Sequence, residues 1–323
     1  MKILYIGTPH TYQLYKEGKN PSHWLYGAVE MEKDGHQVIW EKETNSLFND
    51  IKLIRQSNPD LIFIPNLNIR SHLLLLFLKR TRFIRKPIIA YLHHTPKTGK
   101  TSIIYSFLLK ALNHCFFLSA KTMEETIQGG YLKRKKCSEP GWGPDTEFYD
   151  KIPKSNGDYF ISTGKENRDF DLLIDIFKET KAPLKIITAQ SHAGNDYTNL
   201  TEKCTSIPNI EVIITKNSGD VYPMMAKEMA NAKALVCPLQ QNRLNYCVGL
   251  STIVDAEGLN KPLIITYNPY HSDKRLESFN VVTNKQEWIR AIISLKNSNN
   301  SKFSMLKCYQ NMKPFIVKYA PNI

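Results

Sequence analysis

The sequence lacks the features that define a membrane-spanning, zinc-binding or solenoid protein. None of its apolar stretches reaches the roughly 20 residues needed to cross a bilayer, and the run "HLLLLFL" ends at Lys79 and Arg80. The six cysteines include no C-x-x-C pair, so neither a zinc site nor a disulfide framework is expected. No repeat of solenoid period is visible. We therefore expect the cysteines to be reduced and mostly buried. We expect a cytoplasmic location, because the N-terminal "MKILYIG" has the pattern of a strand and no cleavage site.

The length and composition are those of a globular protein with two domains. A chain of 323 residues can bury two separate cores. Residues 138 to 157 are rich in Gly, Pro and Asp and lack periodicity, as expected of a linker. The expected organisation is an N-terminal domain over residues 1–150, a C-terminal domain over 151–300 and a helical segment over 301–323 that returns to the first domain.

Positive charge is concentrated in one part of the chain, where acidic residues are nearly absent. Residues 70 to 136 contain fourteen Lys or Arg against Glu124 and Glu125, so this window carries +12 of the net charge of +13. Its string "LLLLFLKRTRFIRK" joins an apolar run to a basic cluster, which suits an anionic membrane surface. A nucleic-acid partner and a solvated basic face without a partner are the alternatives. Peripheral contact with an anionic membrane is one candidate, and no nucleic-acid partner is expected.

Apolar strands and amphipathic helices alternate along both halves of the chain. The first half contains the strands "KILYIGT", "HQVIWEK", "DLIFIPN" and "PIIAYLHH", a helix from about residue 22 to 33, a helix through 51 to 56 and a leucine-rich helix. The second half contains the strands "DYFISTG", "PLKIITA" and "IEVIITK" and the helices "DFDLLIDIFKET" and "YPMMAKEMANA". This alternation predicts α/β domains with doubly wound parallel sheets, which bind ligands at the carboxyl ends of their strands.

Residues 233 to 266 form the most informative unit, a strand, a polar loop, a helix and a second strand. The run "KALVCPL" is a strand, and "GLSTIVDAEGL" begins a helix at Gly249. The backbone N–H groups of the first helical turn, with Ser251 or Thr252 as the cap, favour an anion such as phosphate. Asp255 lies about one turn into the helix, where a carboxylate can accept hydrogen bonds from a diol such as ribose. An ordinary crossover with a capped helix is the alternative.

The same stretch, "GLSTIVDAEGLNKPLIIT", resembles the nucleotide-sugar motif of retaining glycosyltransferases of the family 4 type. In that family a G-x-[ST]-x-x-x-[ED]-A segment precedes G-K-P-V-I, and its acidic residue binds the ribose of the donor. The resemblance assigns ribose binding to Asp255. The other donor contacts that it implies fall on four residues: Gly249, Leu250, Ser251 and Thr252. The sequence departs from the motif at Asn260, where Gly is usual, and at Cys247, where a second acid is usual.

A second segment, "FISTGKENRDFDLL", places two cations between the end of a strand and the start of a helix. Lys165 and Arg168 follow Gly164, an arrangement that suits a pyrophosphate. The segment resembles the "G-R-x-x-R-D" variant in the same family, whose two cations stabilise the departing nucleoside diphosphate. Lys165 and Arg168 are therefore candidate catalytic residues, and Arg168 is the better placed because its guanidinium binds phosphate in a bidentate manner. Two cations in a surface loop are the alternative.

Two other strings resemble ligand-binding motifs without satisfying them. "DFD" has the form of a D-x-D metal motif, but Asp169 and Asp171 stand at a helix start, where Asp is favoured as a cap. We therefore predict no metal. "GKT" follows a strand as in a P-loop, but His94 stands where that motif requires its first Gly. We therefore expect no NTPase site, although Lys100 would remain available to a phosphate.

Residues at strand ends in the first half supply the remaining candidates. His93 and His94 follow the strand "IIAYL", at the edge where catalytic groups of doubly wound folds collect. In the family that the sequence resembles, a histidine here contacts the donor sugar, and the register falls on His93. A hydrogen-bonded structural histidine is the alternative. Three residues in the loop after the first strand are expected on the acceptor side: Gly7, Thr8 and His10.

Together these resemblances imply an α/β protein of the GT-B fold, with two Rossmann-like, doubly wound parallel-sheet domains facing a central cleft. The implied activity is metal-independent transfer of a hexosyl group, with retention, from a UDP- or GDP-sugar. The acceptor is expected to be a lipid-linked glycan or another polysaccharide precursor at the inner face of a membrane. No cofactor is expected besides the donor substrate. Another transferase or an epimerase on the same fold, and a non-catalytic basic protein that binds membrane or nucleic acid, are the alternatives.

Overall fold

The structure, a computed structural model, describes residues 1–7, 9–41, 47–96, 99, 102–192, 194–216, 221–296 and 303–319. The chain forms two compact units. The first contains Met1–Glu17, Ser22–Gly143 and the C-terminal segment from Phe303, and the second contains Gly18–Pro21 and Pro144–Lys302, in their described parts. The chain passes from one unit to the other between Gly143 and Pro144, within the segment interpreted as a linker.

A six-stranded parallel sheet forms the centre of the first unit. Its strands are β1 (Lys2–Tyr5), β2 (Gln37–Trp40), β3 (Leu61–Ile64), β4 (Ile88–Leu92), β5 (His114–Phe117) and β6 (Cys137–Ser138). They lie in the order β2-β1-β3-β4-β5-β6, so the chain winds outward in both directions from β1. Strands β3, β4 and β5 are buried at every position, as expected when helices cover both faces of a sheet. The predicted doubly wound parallel sheet is confirmed.

The helices of this unit follow the predicted alternation with one correction. Over residues 9–128 they are α1 (Pro9–Lys16), α2 (Ala28–Lys33), α3 (Leu47–Ser57), α4 (Leu73–Arg80), α5 (Ser102–Leu109) and α6 (Ala120–Gln128). The single helix predicted from about residue 22 to 33 is wrong, because a 3-10 turn at Ser22–Leu25 is separated from α2. Tyr26 and Gly27 have φ angles of 52° and 88° between them. Such left-handed angles end a helical run.

The second unit contains a second six-stranded parallel sheet. Its chain forms β7 (Phe160–Thr163), β8 (Leu184–Ala189), β9 (Ser191–His192), β10 (Asn195–Asp196), β11 (Ile210–Thr215), β12 (Ala234–Cys237), β13 (Leu263–Thr266) and β14 (Asn280–Val282). Strands β9 and β10 form a separate antiparallel pair. The large sheet has the order β11-β8-β7-β12-β13-β14, which is the strand order of dinucleotide-binding folds. Its topological switch point lies between β7 and β12.

Helices flank this second sheet as the sequence pattern predicts. They are α7 (Thr146–Tyr149), α8 (Phe170–Thr180), α9 (Leu200–Cys204), α10 (Val221–Asn231), α11 (Leu250–Leu259), α12 (Asp273–Leu276) and α13 (Lys285–Ile293). The predicted capping role of Asp169 is confirmed, since its carboxylate accepts a 3.1 Å hydrogen bond from the Leu172 N–H. Helix α7 lies within residues 138 to 157, the segment interpreted as a linker without periodicity. Asp145 caps that helix, and Tyr149 at its end is fully buried.

Asn260 and Lys261, which belong to the motif that resembles family 4 glycosyltransferases, have structural roles in the connection from α11 to β13. Asn260 has a φ of 53° at the end of α11, a left-handed angle that Gly or Asn adopts most easily. The buried Lys261 then donates through Nζ to the carbonyl oxygens of Ser155, at 2.5 Å, and Ala232, at 2.7 Å. Lys261 therefore ties the start of β13 to the segments before β7 and β12.

The C-terminal segment forms helix α14 (Met305–Val317) as part of the first unit. Its buried residues recur at helical spacing: Met305, Cys308, Tyr309, Met312 and Ile316. The hydroxyl of Tyr309 and the ammonium of Lys313 both donate to the Asp34 carboxylate, at 2.7 and 2.8 Å. Across the ranges given above, no helix is long and apolar enough to span a bilayer.

Candidate functional site

The switch point of the second sheet brings together the two segments that the sequence singled out. Strand β7 ends at Thr163 and is followed by the loop with both candidate cations, whereas its neighbour β12 ends at Cys237 and leads to α11. In open α/β sheets ligands bind outside the carboxyl ends of the strands at this point. The topology therefore places both predicted donor motifs at one edge of one sheet.

The loop after β7 is held in a fixed shape by backbone contacts with the segment after β12. Gly164 has a φ of 102°, and a Cβ at this position would lie 2.6 Å from Nη2 of Arg168, so only glycine fits. The N–H of Asp169 donates to the Pro238 carbonyl at 3.1 Å, and the N–H of Gln240 donates to the Asn167 carbonyl at 3.0 Å. These contacts define where the Arg168 side chain can point.

Arg168 is a buried cation, with a side chain held by hydrogen bonds to neutral groups. The residue is only 3% exposed. Its Nε donates to the Thr163 carbonyl at 3.3 Å, its Nη1 to the Glu166 carbonyl at 2.9 Å and its Nη2 to the Thr252 hydroxyl at 3.1 Å. Among the described residues, no carboxylate forms an ion pair with this guanidinium. The charge of Arg168 opposes the rise that burial causes in the pKa of the nearby Asp255. A buried guanidinium without an ion-pair partner is nevertheless costly, so this part of the site is suited to an anionic ligand.

The start of α11 supplies further donors, although its cap differs from the prediction. Gly249 occupies the N-cap with a φ of 89° and provides no side-chain cap, so the assignment of Ser251 or Thr252 as the cap is wrong. These two residues are instead the second and third of the helix, and the Thr252 hydroxyl accepts from Arg168. Their backbone N–H groups have no acceptor within the described ranges. Free amides at the positive end of a helix dipole attract an anion.

The close packing of Gly249 explains why the helix starts there. A Cβ on Gly249 would lie 3.2 Å from both Cys237 Sγ and Leu239 Cδ1. Leu250 is buried, and its N–H donates to the Cys247 carbonyl at 3.1 Å. Cys247 stands where the family has a second acid, and it is also buried. The sequence therefore allows α11 to approach the end of β12 closely.

Two buried residues after β13 also support this segment, although the sequence did not point to them. Asn268 is fully buried, and its Nδ2 donates to the carbonyl oxygens of Tyr246 and Val248 at 3.0 and 3.1 Å. His271 is 7% exposed, and neither ring nitrogen makes a hydrogen bond of normal geometry with the described residues. Burial lowers the pKa of His271 to about 4, so its imidazole is neutral at physiological pH.

Asp255, predicted to bind ribose, is buried beneath two tyrosines. The hydroxyls of Tyr149 and Tyr222 each lie 2.7 Å from Oδ1 of Asp255, and the two hydroxyl oxygens are 2.6 Å apart. Burial raises the pKa of Asp255 to about 6, and hydrogen bonds from the tyrosines and the charge of Arg168 oppose this rise only in part. Three mutual contacts with only two phenolic protons are completed when the carboxyl itself carries a proton. Burial therefore sets the direction of the pKa shift of Asp255, and the hydrogen bonds from the tyrosines reduce its size.

The other predicted donor residues of this unit lie beside these groups. Lys165, which follows Gly164 directly, and Ser251 in the first turn of α11 are both half-buried. Both residues are therefore more exposed than Thr252, which is buried. The structure therefore brings the candidate donor-binding residues of the C-terminal half to one region of the second unit.

The histidine candidates belong to the first unit, at the end of β4. The half-buried His93 has its Nε2 at 3.0 Å from the carbonyl oxygen of Pro65. Burial lowers the pKa of His93 to about 4, so the ring is neutral, donates through Nε2 and keeps Nδ1 as an acceptor. His94 is exposed. His93 therefore makes a structural hydrogen bond through Nε2, and its neutral ring has an acceptor at Nδ1.

The acceptor-side candidates have separate outcomes. Gly7 follows β1, and a Cβ there would lie 2.3 Å from the Tyr5 ring. His10 was expected in a loop but is the second residue of α1, and Thr8 lies outside the described residues. An acid that the sequence did not single out, Glu41, stands beside Gly7 at the end of β2. Burial and the charge of Asp50 raise the pKa of Glu41 to about 7, opposed by a hydrogen bond from the Gly7 backbone.

Comparison with known proteins gives a match at the level of structure alone. No protein-family model and no curated protein sequence matches the chain. The UDP-GlcNAc 2-epimerase of Neisseria meningitidis, bound to UDP-GlcNAc, matches with a TM-score of 0.57 and 10% identity over 99% of both chains. That of Methanocaldococcus jannaschii, in complex with UDP-GlcNAc and UDP, gives 0.56 and 13% over 98% of this chain and 99% of that chain.

A glycosyltransferase is similar to the same degree. AviGT4, which is involved in avilamycin A biosynthesis, has a TM-score of 0.57 and 11% identity over 99% of this chain and 97% of that chain. At such identities the likeness defines the fold and not the activity. The chain is therefore an α/β protein of the GT-B fold, as the sequence predicts.

The contact of Tyr149 with α11 gives a stability prediction. A Cβ on Gly258 would lie 2.2 Å from Cδ2 of the Tyr149 ring. Gly258→Ala should therefore destabilise the protein by about 1–3 kcal/mol, although Ala is favoured over Gly in a helix by about 1 kcal/mol. Urea-induced unfolding measures the change.

Tyr149→Ala provides the matched background for this test. Without the ring, Gly258→Ala should be neutral or stabilising, because only the helix preference remains. If Gly258→Ala caused the same loss of stability with and without the Tyr149 ring, the ring would not be the reason for a glycine at position 258.

Proposed function

We propose that the protein binds a nucleoside diphosphate sugar at the switch point of its second unit and transfers the sugar to an acceptor with retention of configuration. The buried guanidinium of Arg168 without a carboxylate partner is the observation that carries the proposal. The donor is a UDP- or GDP-sugar, and the acceptor is a lipid-linked glycan or another polysaccharide precursor. The reaction takes place in the cytoplasm, at the inner face of a membrane where the acceptor is lipid-linked.

A diphosphate fits the donors that converge here better than a single carboxylate would. The hydrogen bond from Arg168 to Thr252 places a guanidinium against the first turn of α11, where the N–H groups of Ser251 and Thr252 have no acceptor among the described residues. Three of the five guanidinium N–H groups are already used within the protein. The cation and the amides come from two different elements, so together they can hold two linked phosphate groups.

The same groups would assist departure of the nucleoside diphosphate. Negative charge grows on the bridging oxygen as the bond to the sugar breaks, and fixed donors at that position lower the barrier. Arg168 and Lys165 fill this role, while Asp255 holds the ribose once Tyr149 or Tyr222 yields a hydrogen bond. For His93 and His94, which belong to the first unit, a contact with the donor sugar remains a prediction from the family resemblance.

The proposal includes no metal ion because both acids of the D-x-D string already have structural partners. Asp169 caps α8, and Asp171 forms an ion pair with Lys203 at 2.7 Å. Within the described ranges, no three His, Cys, Asp or Glu side chains form a cluster suited to a metal. The cations of the protein would take the place of a divalent ion in stabilising the diphosphate.

Epimerisation of the nucleotide sugar is the second candidate. Two of the similar structures hold UDP-GlcNAc, and both belong to UDP-GlcNAc 2-epimerases. Such a reaction would use the same diphosphate site, so the geometry around Arg168 supports it as well. The two reactions differ in the fate of the sugar: transfer needs an acceptor and leaves C2 unchanged, whereas 2-epimerisation inverts C2 without an acceptor. Proton NMR of the sugar product, with and without acceptor, distinguishes them.

Replacing Arg168 tests the diphosphate site. Arg168→Ala should weaken binding of the nucleoside diphosphate by about 10–100-fold, since charged hydrogen bonds contribute about 1.5–3 kcal/mol each. Arg168→Lys should give an intermediate loss, because it keeps the charge but not the bidentate geometry. Titration calorimetry with UDP and GDP measures both.

Arg290→Ala is the matched control, since it removes an exposed arginine of the same unit. Its affinity should equal that of the wild type. Unchanged affinity in Arg168→Ala would remove the basis of the proposal.

The state of Asp255 predicts a pH dependence of binding. Its pKa is raised from 3.8 to about 6, so the carboxylate is charged only above that pH. Affinity for a sugar nucleotide should therefore fall as the pH drops below 6, by up to about tenfold per unit. A sugar nucleotide is the suitable ligand, because its substituted diphosphate lacks the ionisation near pH 6 of a terminal phosphate.

Asp255→Asn is the control for this titration, since its amide does not ionise. It should bind more weakly at pH 7 and show no step near pH 6. If variant and wild type follow the same pH profile, Asp255 does not contact the ligand.

A further inference from the structure

Exposed large hydrophobic side chains are concentrated on one surface of the first unit. Of ten such residues among those described, six lie on α4, the loop after it and α5. They are Leu73, Phe77, Phe83, Ile103, Ile104 and Phe107. Phe83 and Ile103 are 80% and 79% exposed, and their grouping with four further apolar side chains distinguishes them from scattered surface residues. We refer to these six residues, with the basic side chains among them, as the α4–α5 surface.

The two helices form one continuous surface. Leu73 and Phe77 are four residues apart on α4, and Ile103 and Phe107 are four apart on α5, so each pair lies on one helical face. The Arg80 guanidinium lies 5.0 Å from the centre of the Phe107 ring, which joins the end of α4 to α5. A surface pocket of about 430 Å³ is lined by Arg80, Ile103, Phe107 and Lys110 together.

Basic side chains alternate with the apolar ones on this surface. Arg80, Arg82, Arg85 and Lys110 are all exposed. Lys79 donates to the Arg85 carbonyl at 3.1 Å, and Lys136 donates to the Lys110 carbonyl at 3.1 Å, so further cations are fixed at its edge. Most of the net positive charge of the chain falls within residues 70 to 136. The α4–α5 surface therefore combines apolar area with one sign of charge.

We propose that the α4–α5 surface binds an anionic membrane surface. Exposed Phe, Ile and Leu side chains insert at the level of the lipid headgroups, and the surrounding Arg and Lys side chains contact lipid phosphates. The proposal rests on exposure and charge in the first unit and does not depend on the nucleotide site of the second.

The charge of the surface argues against the two other occupants. A second copy of this chain would place Arg80, Arg82 and Arg85 against the same cations, because a two-fold interface is self-complementary. A nucleic acid would neutralise the cations and stack its bases on the phenylalanines, but it would leave Leu73, Ile103 and Ile104 without an apolar partner. An anionic bilayer satisfies both the charge and the apolar area.

Vesicle flotation of the whole protein tests the proposal. The protein should float with vesicles of phosphatidylcholine and phosphatidylglycerol, float poorly with phosphatidylcholine alone, and release the vesicles as salt rises. Phe83→Ser with Ile103→Ser, and separately Arg85→Glu with Lys110→Glu, should each lower partitioning by about tenfold or more.

Two matched double variants serve as controls. Ile293→Ser with Leu306→Ser removes two exposed aliphatic residues elsewhere, and Lys178→Glu with Lys227→Glu makes the same charge change on the second unit. Both controls should float like the wild type. Unfolding midpoints and nucleotide binding should be unchanged in all four variants, which separates this proposal from the nucleotide site.

Three results would overturn the proposal. Flotation that does not depend on phosphatidylglycerol would exclude an electrostatic contact with lipid. Surface variants that float like the controls would place membrane contact elsewhere. A wild-type oligomer in light scattering that the surface variants reduce to monomers, without vesicle binding, would assign the surface to self-association.

Discussion

The hydrogen bond from Arg168 to Thr252 is the interaction on which the candidate site depends. It joins the loop after β7 to the first turn of α11, two elements that the sheet order places side by side at the switch point. Gly164 leaves room for the guanidinium, and Gly249 lets the helix start against the end of β12. Because no carboxylate among the described residues forms an ion pair with this buried guanidinium, we propose that an anionic ligand supplies the negative charge.

Most of the architecture could be predicted from the sequence because strands and helices alternate with clear apolar periods. The sheets, α8, α11 and the cap at Asp169 follow from local patterns. The break at Tyr26 and Gly27 could not be predicted, because it depends on backbone angles fixed by packing against α14, where a Cβ on Gly27 would meet Met312 at 3.3 Å. The cap of α11 was missed because the helix begins at Leu250, before both residues with cap-forming side chains, and Gly249 is its N-cap.

The surroundings of Asp255 show the limit of motif-based prediction. Its position in the helix was correct, but Tyr149 and Tyr222 are 106 and 33 residues away in sequence. No local pattern connects three such residues, and Tyr149 lies in a segment with the composition of a linker. The sequence analysis also missed Asn268 and His271, because each is a single polar residue after β13 and belongs to no motif. The chemistry of the site is therefore set by long-range contacts around a locally predictable frame.

The most direct test of the account is a crystal structure of the protein with UDP or GDP bound. We predict that the diphosphate lies within hydrogen-bond distance of the Arg168 guanidinium and of the backbone N–H groups of Ser251 and Thr252. A diphosphate bound elsewhere on the chain, with these three donors still facing solvent or protein, would contradict the central claim.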